Sequence, residues 1–313
     1  MFAIALPMGP GEKEVACAAD LLDSLASHEP GPALLVILDD SPQPRNLAEI
    51  LPIPPAYTPV ILRHFRHDLP GEHPRTTNGP LCAGMLQLYR WIAQNRPDVS
   101  FVLKCDTDAL VIAPFAKKIE SAFAAHPQIG MLGAYTRTPN GDERDISYHG
   151  GIMRRLHRTP LPWGSPRLML THLITRNQRT DTISRHIADA CANGYVYGEH
   201  CLGGSSALAT EVLRRMLKRG YLDDPTLWLP IQKACEDPMI AVYTRAVGMR
   251  LQNFVADGEV FGVRYRGLPD SPQRLLERGF SIIHSVKNDP RISEAEIRSF
   301  FRDHRSRQLS PVV

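Results

Sequence analysis

Phe101-Val-Leu-Lys-Cys-Asp-Thr-Asp-Ala-Leu-Val-Ile112 is the stretch whose reading decides the fold. A short apolar run delivers two acidic residues, Asp106 and Asp108, and then turns apolar again. Apolar flanks around an Asp-x-Asp triplet predict a buried strand that ends in two carboxylates at the rim of a sheet. Side chains alternate along an extended chain, so residues i and i+2 lie on one side, and Asp106 and Asp108 can converge on one cation. Hard divalent cations take oxygen ligands, and Mg²⁺-type sites use one or two carboxylates together with phosphates of a substrate. A solvated acidic turn is the commoner origin of such a triplet, so its weight depends on the sequence around it.

Upstream, strand and helix signals alternate. Phe2–Leu6 reads as a strand, and Glu12–Ala26 carries Val15, Ala18, Leu22 and Leu25 at helical spacing. Ala33–Leu38 is a continuous apolar run ending in Asp39-Asp40, Pro59–Leu62 is a short strand, and Leu81–Gln94 is a helix with Leu81, Met85, Leu88 and Ile92 on one face. Continuous apolar strands separated by helices predict an α/β fold: one large domain with a mostly parallel mixed sheet flanked by helices, Rossmann-like in plan. In such sheets ligands sit beyond the carboxyl ends of the strands. Asp39-Asp40 and Asp106/Asp108 both fall at such ends.

Downstream, Phe115–Ala125 reads as a helix and Ile129–Leu132 as a strand. From about 137 to 195 the pattern breaks into Pro, Gly, Arg and His, apart from a helical patch near 180–192; a long irregular region inside a compact enzyme marks a substrate loop. Gly203-Gly204 leads to a helix over Glu211–Arg219, with Thr210 as its expected N-cap and Gly220 as its stop. A further helix is expected over Pro238–Val247, with late strands over Val260–Arg264 and Phe280–His284. Ser293-Glu-Ala-Glu296 is a capping box that opens a C-terminal helix. Residues after about 304 are expected to be disordered.

The chain has 313 residues, 22% of them charged and 43% hydrophobic, the composition of an ordinary globular protein. A formal charge of +3 is too small to point to nucleic acid as a partner. Arg154-Arg155 with Arg158 could touch anionic phosphates or allow peripheral membrane contact, although a solvated face is the commoner origin of such a cluster. No stretch is long and apolar enough to span a bilayer, and Met1–Gly9 lacks the basic flank of a signal peptide. Cys17, Cys82, Cys105, Cys191, Cys201 and Cys235 are scattered without CxxC spacing, so reduced thiols and a cytoplasmic, microbial enzyme are expected. His149-Gly150-Gly151 and His200-Cys201 lack partners at zinc-ligand spacing. There is neither a G-x-S-x-G elbow nor a P-loop.

Four features occur in a fixed order: the strand with Asp106-Thr107-Asp108, Gly203-Gly204 before a helix, Glu236-Asp237-Pro238 opening a helix, and Ile283-His284-Ser285 ending a strand. In this order the chain resembles the GT-A glycosyltransferases, and within them the β1,3-galactosyltransferase and Fringe group. The resemblance spans residues 101–285. It implies a hexosyltransferase that moves a sugar from a nucleotide-diphosphate donor, UDP-linked, to a hydroxyl of a carbohydrate or glycoconjugate acceptor, with inversion and with Mn²⁺ or Mg²⁺. It further implies a donor-binding half over 1–135 and an acceptor-binding, catalytic half over 136–303. Asp-Thr-Asp stands where many members carry three acids, and the 137–195 insertion and the missing membrane anchor differ from the animal members. These departures bear on the sugar and the acceptor.

Residue by residue, Asp108 is the first choice for the metal ligand. Asp106 would reach the metal directly or through water, or hold the ribose or sugar. His284 would supply a neutral imidazole nitrogen as third ligand. Asp237 is the expected general base; Asp before Pro is also a good N-cap, and if Asp237 is spent on capping, Glu236 takes its place. Gly203 and Gly204 would let backbone approach the donor or acceptor, or simply form a tight turn. Lys104 would neutralise diphosphate, or only extend its ammonium from the strand. Arg75 in His73–Asn78 would meet the nucleotide, and Asp39 a uracil or ribose unless it caps its loop. Tyr148 and Trp163 could stack on a sugar, with packing at the surface at least as good a reading. Two other readings stay open: a sugar nucleotidyltransferase, of whose Gly-rich signature Leu6–Gly11 is an echo without Arg, and a non-catalytic nucleotide- or carbohydrate-binding module.

Overall fold

The computed structural model describes residues 1–68, 78–158, 178–223 and 235–309. Its strands are β1 (Ala3–Met8), β2 (Ala33–Asp39), β3 (Tyr57–Arg63), β4 (Phe101–Cys105), β5 (Leu110–Val111), β6 (Ile129–Gly133), β7 (Ser205–Ala209), β8 (Arg250–Asn253), β9 (Phe261–Val263) and β10 (Ile282–His284). The helices among the described residues are α1 (Glu12–His28), α2 (Leu47–Ile50), α3 (Asn78–Asn95), α4 (Ala116–Ala125), α5 (Ser147–Arg158), α6 (Gln178–Ala192), α7 (Thr210–Lys218), α8 (Glu236–Ala246), α9 (Pro272–Glu277) and α10 (Glu294–Leu309).

Strand alternation explains the layers. In β1, Ala3 and Ala5 face one side while Ile4 and Leu6 face the other; in β2, Leu34, Val36 and Leu38 oppose Ala33, Leu35 and Ile37. The first side packs on α3, α6, α7 and α8 through Met85, Ile187, Val212 and Val242, and the second on α1 and α4 through Leu21, Leu22 and Ile119. Each such apolar side chain removed from water contributes about 1.5–3 kcal/mol, so a sheet covered on both faces is the stable arrangement for these runs.

The central sheet runs β3-β2-β1-β4-β7-β6-β8. The β3, β2, β1 and β4 strands are parallel, β7 runs antiparallel to both β4 and β6, and β8 is parallel to β6. From β1 the chain builds outward through β2 to β3, then returns to place β4 on the other side of β1. That reversal opens a crevice at the carboxyl ends of β1 and β4, where open α/β sheets bind ligands. A small sheet, β5-β10-β9, brings the end of β10 to the end of β4. Leu110, Phe280, Ile283 and Val286 tie this sheet to Ile297 and Phe301 of α10.

The α/β class, the parallel core and the early elements agree with the sequence reading. Four local features differ. Ser205–Ala209 is a buried strand, although Ser-Ser-Ala-Leu-Ala carries little β-preference; its place between β4 and β6 gives it two ladders, and tertiary pairing overrides propensity. Thr210 is the first residue of α7 rather than its cap, and its hydroxyl has no hydrogen-bond partner. Ser147–Arg158, inside the stretch read as irregular, is helical as α5, whereas α6 matches the helical patch expected near 180–192; residues 159–177 lie outside the described ones. The last helix continues past 304 to Leu309, because Arg305 is buried and paired with Asp20 (3.0 Å) and Asp23 (2.9 Å) on α1. The capping box at its start forms as expected: the amide of Ser293 donates to Glu296 Oε2 (3.0 Å), and the amide of Glu296 to Ser293 Oγ (3.3 Å).

Candidate functional site

β4 stops at Cys105 and the chain turns at once, the amide of Ala109 donating to the carbonyl of Asp106 (3.0 Å). Antiparallel pairing sets Cys105 opposite Ser205, so Gly204 stands beside Asp106, whose amide donates to the Gly204 carbonyl (3.0 Å). From the small sheet, β10 ends at His284 and the following segment wraps Asp108: the Val286 amide donates to its carbonyl (3.0 Å) and Ser285 Oγ to its Oδ2 (2.6 Å). Three elements distant in sequence thus bring Asp106, Asp108 and His284 together, with one potential ligand atom from each lying within 4.8 Å of the others.

The imidazole is oriented for that role. Its Nδ1 lies 2.9 Å from the Arg264 carbonyl, which can only accept, so Nδ1 carries the proton. Nε2 then faces the carboxylates, 3.3 Å from Asp108 Oδ1. Burial alone would raise the Asp108 carboxyl, but the adjoining His284 ring, the Ser285 hydroxyl and the Lys287 charge outweigh it and hold the group well below the ordinary carboxylate range. Asp106 is the more exposed carboxylate, its side chain 34% accessible against 4% for Asp108. Desolvation, helped by Asp108 and Glu236 and opposed by Lys104, raises its carboxyl. Two carboxylates and an imidazole nitrogen are a donor set that can hold a divalent cation.

On the other side of Gly203-Gly204 lies a second carboxylate group. Helix α8 begins at Glu236, Cys235 holds the N-cap position, and the Cys235 side chain makes no capping hydrogen bond. The Asp237 carboxylate packs instead against Gly203: a Cβ there would stand 2.0 Å from Asp237 Oδ2, and one on Gly204 would stand 2.0 Å from His284 Nδ1. The glycine pair is therefore a spacer flanked by Asp237 and His284, and no side chain would fit at either position.

Beneath them, Lys104 is buried in β4. Its ammonium donates to the Gly203 carbonyl and lies 3.1 Å from Asp106 Oδ1, 3.3 Å from Glu236 Oε1 and 3.6 Å from Asp237 Oδ1. Burial opposes that charge, yet Asp106, Asp237 and Glu236 together raise the Lys104 pKa well above the usual value. Lys104 leaves one carboxylate only partly neutralised: burial above all, with repulsion from Glu236 and Asp106 and against the pull of Lys104 and Arg144, pushes Asp237 up to about 7. A carboxylate with that pKa can exchange a proton near neutrality.

Beyond β6 and β7 lies a cavity of about 330 Å³ lined by Tyr135, Arg137, Glu143, Arg144 and Glu199 among others. Its floor is fixed by Arg245, whose guanidinium grips Glu199 (2.7 Å), and by Tyr135 Oη, which donates to the same carboxylate. Arg144 donates to the carbonyls of Ala134 and Tyr135 (2.6 Å each) and to that of His200. It also donates to His200 Nε2 (2.8 Å), which is free to accept because Nδ1 is turned to the Gly198 carbonyl (2.7 Å).

The other expected site residues lie elsewhere. Asp39 is buried at the end of β2, ion-paired with Arg45 and accepting the Ser41 amide (3.2 Å). Tyr148 is exposed, and Arg75 and Trp163 fall outside the described residues. Sequence reading missed Ser285 and Lys287, which follow the late His284 and both touch Asp108, Lys287 Nζ at 3.1 Å from Oδ2. The only available signal was their place just after a strand-ending His. It also missed Glu14, which accepts from the Thr107 hydroxyl at the middle of the triplet.

No protein-family model matches the chain, and no curated protein matches it in sequence. Among solved structures it is similar to the apo form of the WbbM bifunctional glycosyltransferase, at 11% identity and a TM-score of 0.49, over 99% of this chain and 50% of that one. The chain thus spans about half the length of that protein. It is also similar to apo mouse xyloside xylosyltransferase 1, at 10% identity and a TM-score of 0.42, over 84% of this chain and 87% of that one.

Proposed function

We propose that this protein is a metal-dependent, inverting GT-A glycosyltransferase that moves a sugar from a nucleotide-diphosphate donor, UDP-linked, to an acceptor hydroxyl. One juxtaposition carries the reading. At the switch point of the sheet, the Asp106-Asp108-His284 cluster stands on one side of Gly203-Gly204 and the separate carboxylate of Asp237 on the other. Cleaving a sugar from a nucleoside diphosphate needs those two things: stabilisation of the leaving diphosphate and a base for the incoming hydroxyl.

A bound Mn²⁺ or Mg²⁺ would act as a Lewis acid on the diphosphate oxygens. Asp108, Asp106 and His284 Nε2 would hold it, with Ser285 and the Arg264 carbonyl fixing the ligands. Asp237 accepts the proton of the attacking hydroxyl, a role typically worth 10²–10⁴-fold in rate. It is free to do so because it caps no helix. Lys104 serves as the internal cation that keeps Asp106, Glu236 and Asp237 together in a buried floor. The acceptor enters over the cavity edged by Tyr135, Arg137 and Glu143, whose volume and polar rim suit a sugar ring.

The test is UDP release from a panel of UDP-sugars, with and without EDTA, by the wild type and by Asp108→Ala. The reading expects release that EDTA abolishes and that Asp108→Ala lacks while keeping its circular dichroism. Unchanged turnover in Asp108→Ala would refute the site. Pyrophosphate release would point to a nucleotidyltransferase, and donor binding without release to a binding module.

A further inference from the structure

Lys287 takes up the charge of Asp108 from the solvent side. Its ammonium lies 3.1 Å from Asp108 Oδ2, the oxygen that also accepts from Ser285 Oγ. The other oxygen, Oδ1, faces His284 Nε2 at 3.3 Å. Unlike Lys104, which is sunk in β4 with only 4% of its side chain accessible, Lys287 is 47% accessible on a loop beyond β10. A flexible four-carbon stem of this exposure can change partners at small cost. Two conditions would make it do so. A divalent cation among Asp106, Asp108 and His284 would stand a few Å from the ammonium and repel it, like charges opposing one another at such range. A diphosphate beside that cation would offer the ammonium oxygens carrying more charge than the half-neutralised Asp108.

Resting on the function proposed above, we infer that Lys287 is an exchangeable cation. It holds Asp108 in the ligand-free protein, competes there with the divalent metal, and transfers to the donor's diphosphate when metal and nucleotide bind together. Its effects on the two ligands therefore have opposite signs. It weakens the metal alone and strengthens the nucleotide with metal, so part of the binding cooperativity between them resides in this side chain. A merely structural lysine would weaken both when removed, because losing it would loosen the Asp108 loop.

The experiment titrates Mn²⁺ by electron paramagnetic resonance, and UDP by calorimetry at saturating Mn²⁺, into the wild type, Lys287→Met and Lys287→Arg. Methionine keeps the stem and removes the charge. Lys287→Met should bind Mn²⁺ alone about two- to fivefold more tightly, the scale of a partly exposed ion pair. It should bind UDP roughly tenfold more weakly with Mn²⁺ present, the scale of a charge-assisted hydrogen bond. Lys287→Arg should restore both values toward the wild type. Equal affinities in wild type and Lys287→Met, or a loss of both, overturn the inference, and the metal assignment then still rests on Mn²⁺ binding by the wild type. A wild type that binds neither Mn²⁺ nor UDP overturns the function on which it rests as well.

Discussion

On the proposed function, Asp237 concentrates the chemistry of the site in one carboxylate. Its ordinary carboxyl value of 3.8 is pushed up to about 7, first by burial. Folding therefore favours its protonated form. Its contribution to stability is full below pH 4 and is lost as pH rises through 7, where the ionised form needed for catalysis appears. The acid limb of kcat/KM should accordingly rise with pH around 7, and Asp237→Asn should lower kcat by 10²-fold or more while UDP affinity changes little. A flat pH profile between 5 and 8, or an active Asp237→Asn, would contradict the assignment. Gly204 makes a second residue-scale test, because a Cβ there would overlap the His284 ring. Gly204→Ala should weaken Mn²⁺ binding through displacement of the imidazole, measurable by the same spin titration, and unchanged affinity would show that His284 is not a ligand.

At the scale of elements, the Asp106–Asp108 turn is held from behind by α1 and α10. Arg298 of α10 pairs with Asp20 of α1 (2.8 Å) and with Glu294 (3.0 Å), and its guanidinium reaches the Thr107 carbonyl (3.5 Å). Glu14 of α1 accepts from the Thr107 hydroxyl. Asp20 is shared by Arg298 and Arg305, all three of them buried. Removing Arg298 leaves Asp20 with Arg305 as its close partner, so the cost stays below that of a fully uncompensated buried charge, at about 1–3 kcal/mol. Arg298→Ala should lose stability on that scale in urea titration, and a loss below about 1 kcal/mol would mean that the network is solvated. Some of these elements were legible before the structure. Apolar runs such as Ala33–Leu38 and the Ser293–Glu296 capping box encode their own conformation, because each is satisfied by local pattern. Ser205–Ala209 was not, since its strand character comes from β4 and β6 on either side rather than from its own side chains. Likewise Glu236 and Asp237 were legible as an acidic pair at a helix start, but that Asp237 turns to Gly203 instead of capping depends on where β7 brings the glycines.

For the whole molecule, the decisive fact is where sequence-distant carboxylates meet. The triplet at 106–108 announced itself by its apolar flanks, and topology then placed it at the reversal beside β1. Lys287 and Arg144 were silent in the sequence because each acquires meaning only by proximity, one to Asp108 and the other to His200. Ligands that bind only the folded protein raise its stability by mass action. Mn²⁺ and UDP together should raise Tm by more than the sum of their separate effects, and EDTA should erase the gain; simple additivity would deny that they share a site. The most direct test is an anomalous difference map from crystals grown with Mn²⁺ and UDP. The account predicts one Mn²⁺ peak within bonding distance of Asp108, Asp106 and His284 Nε2, with the diphosphate on it. Bound UDP with no peak there, or those side chains turned away from the crevice, would contradict it.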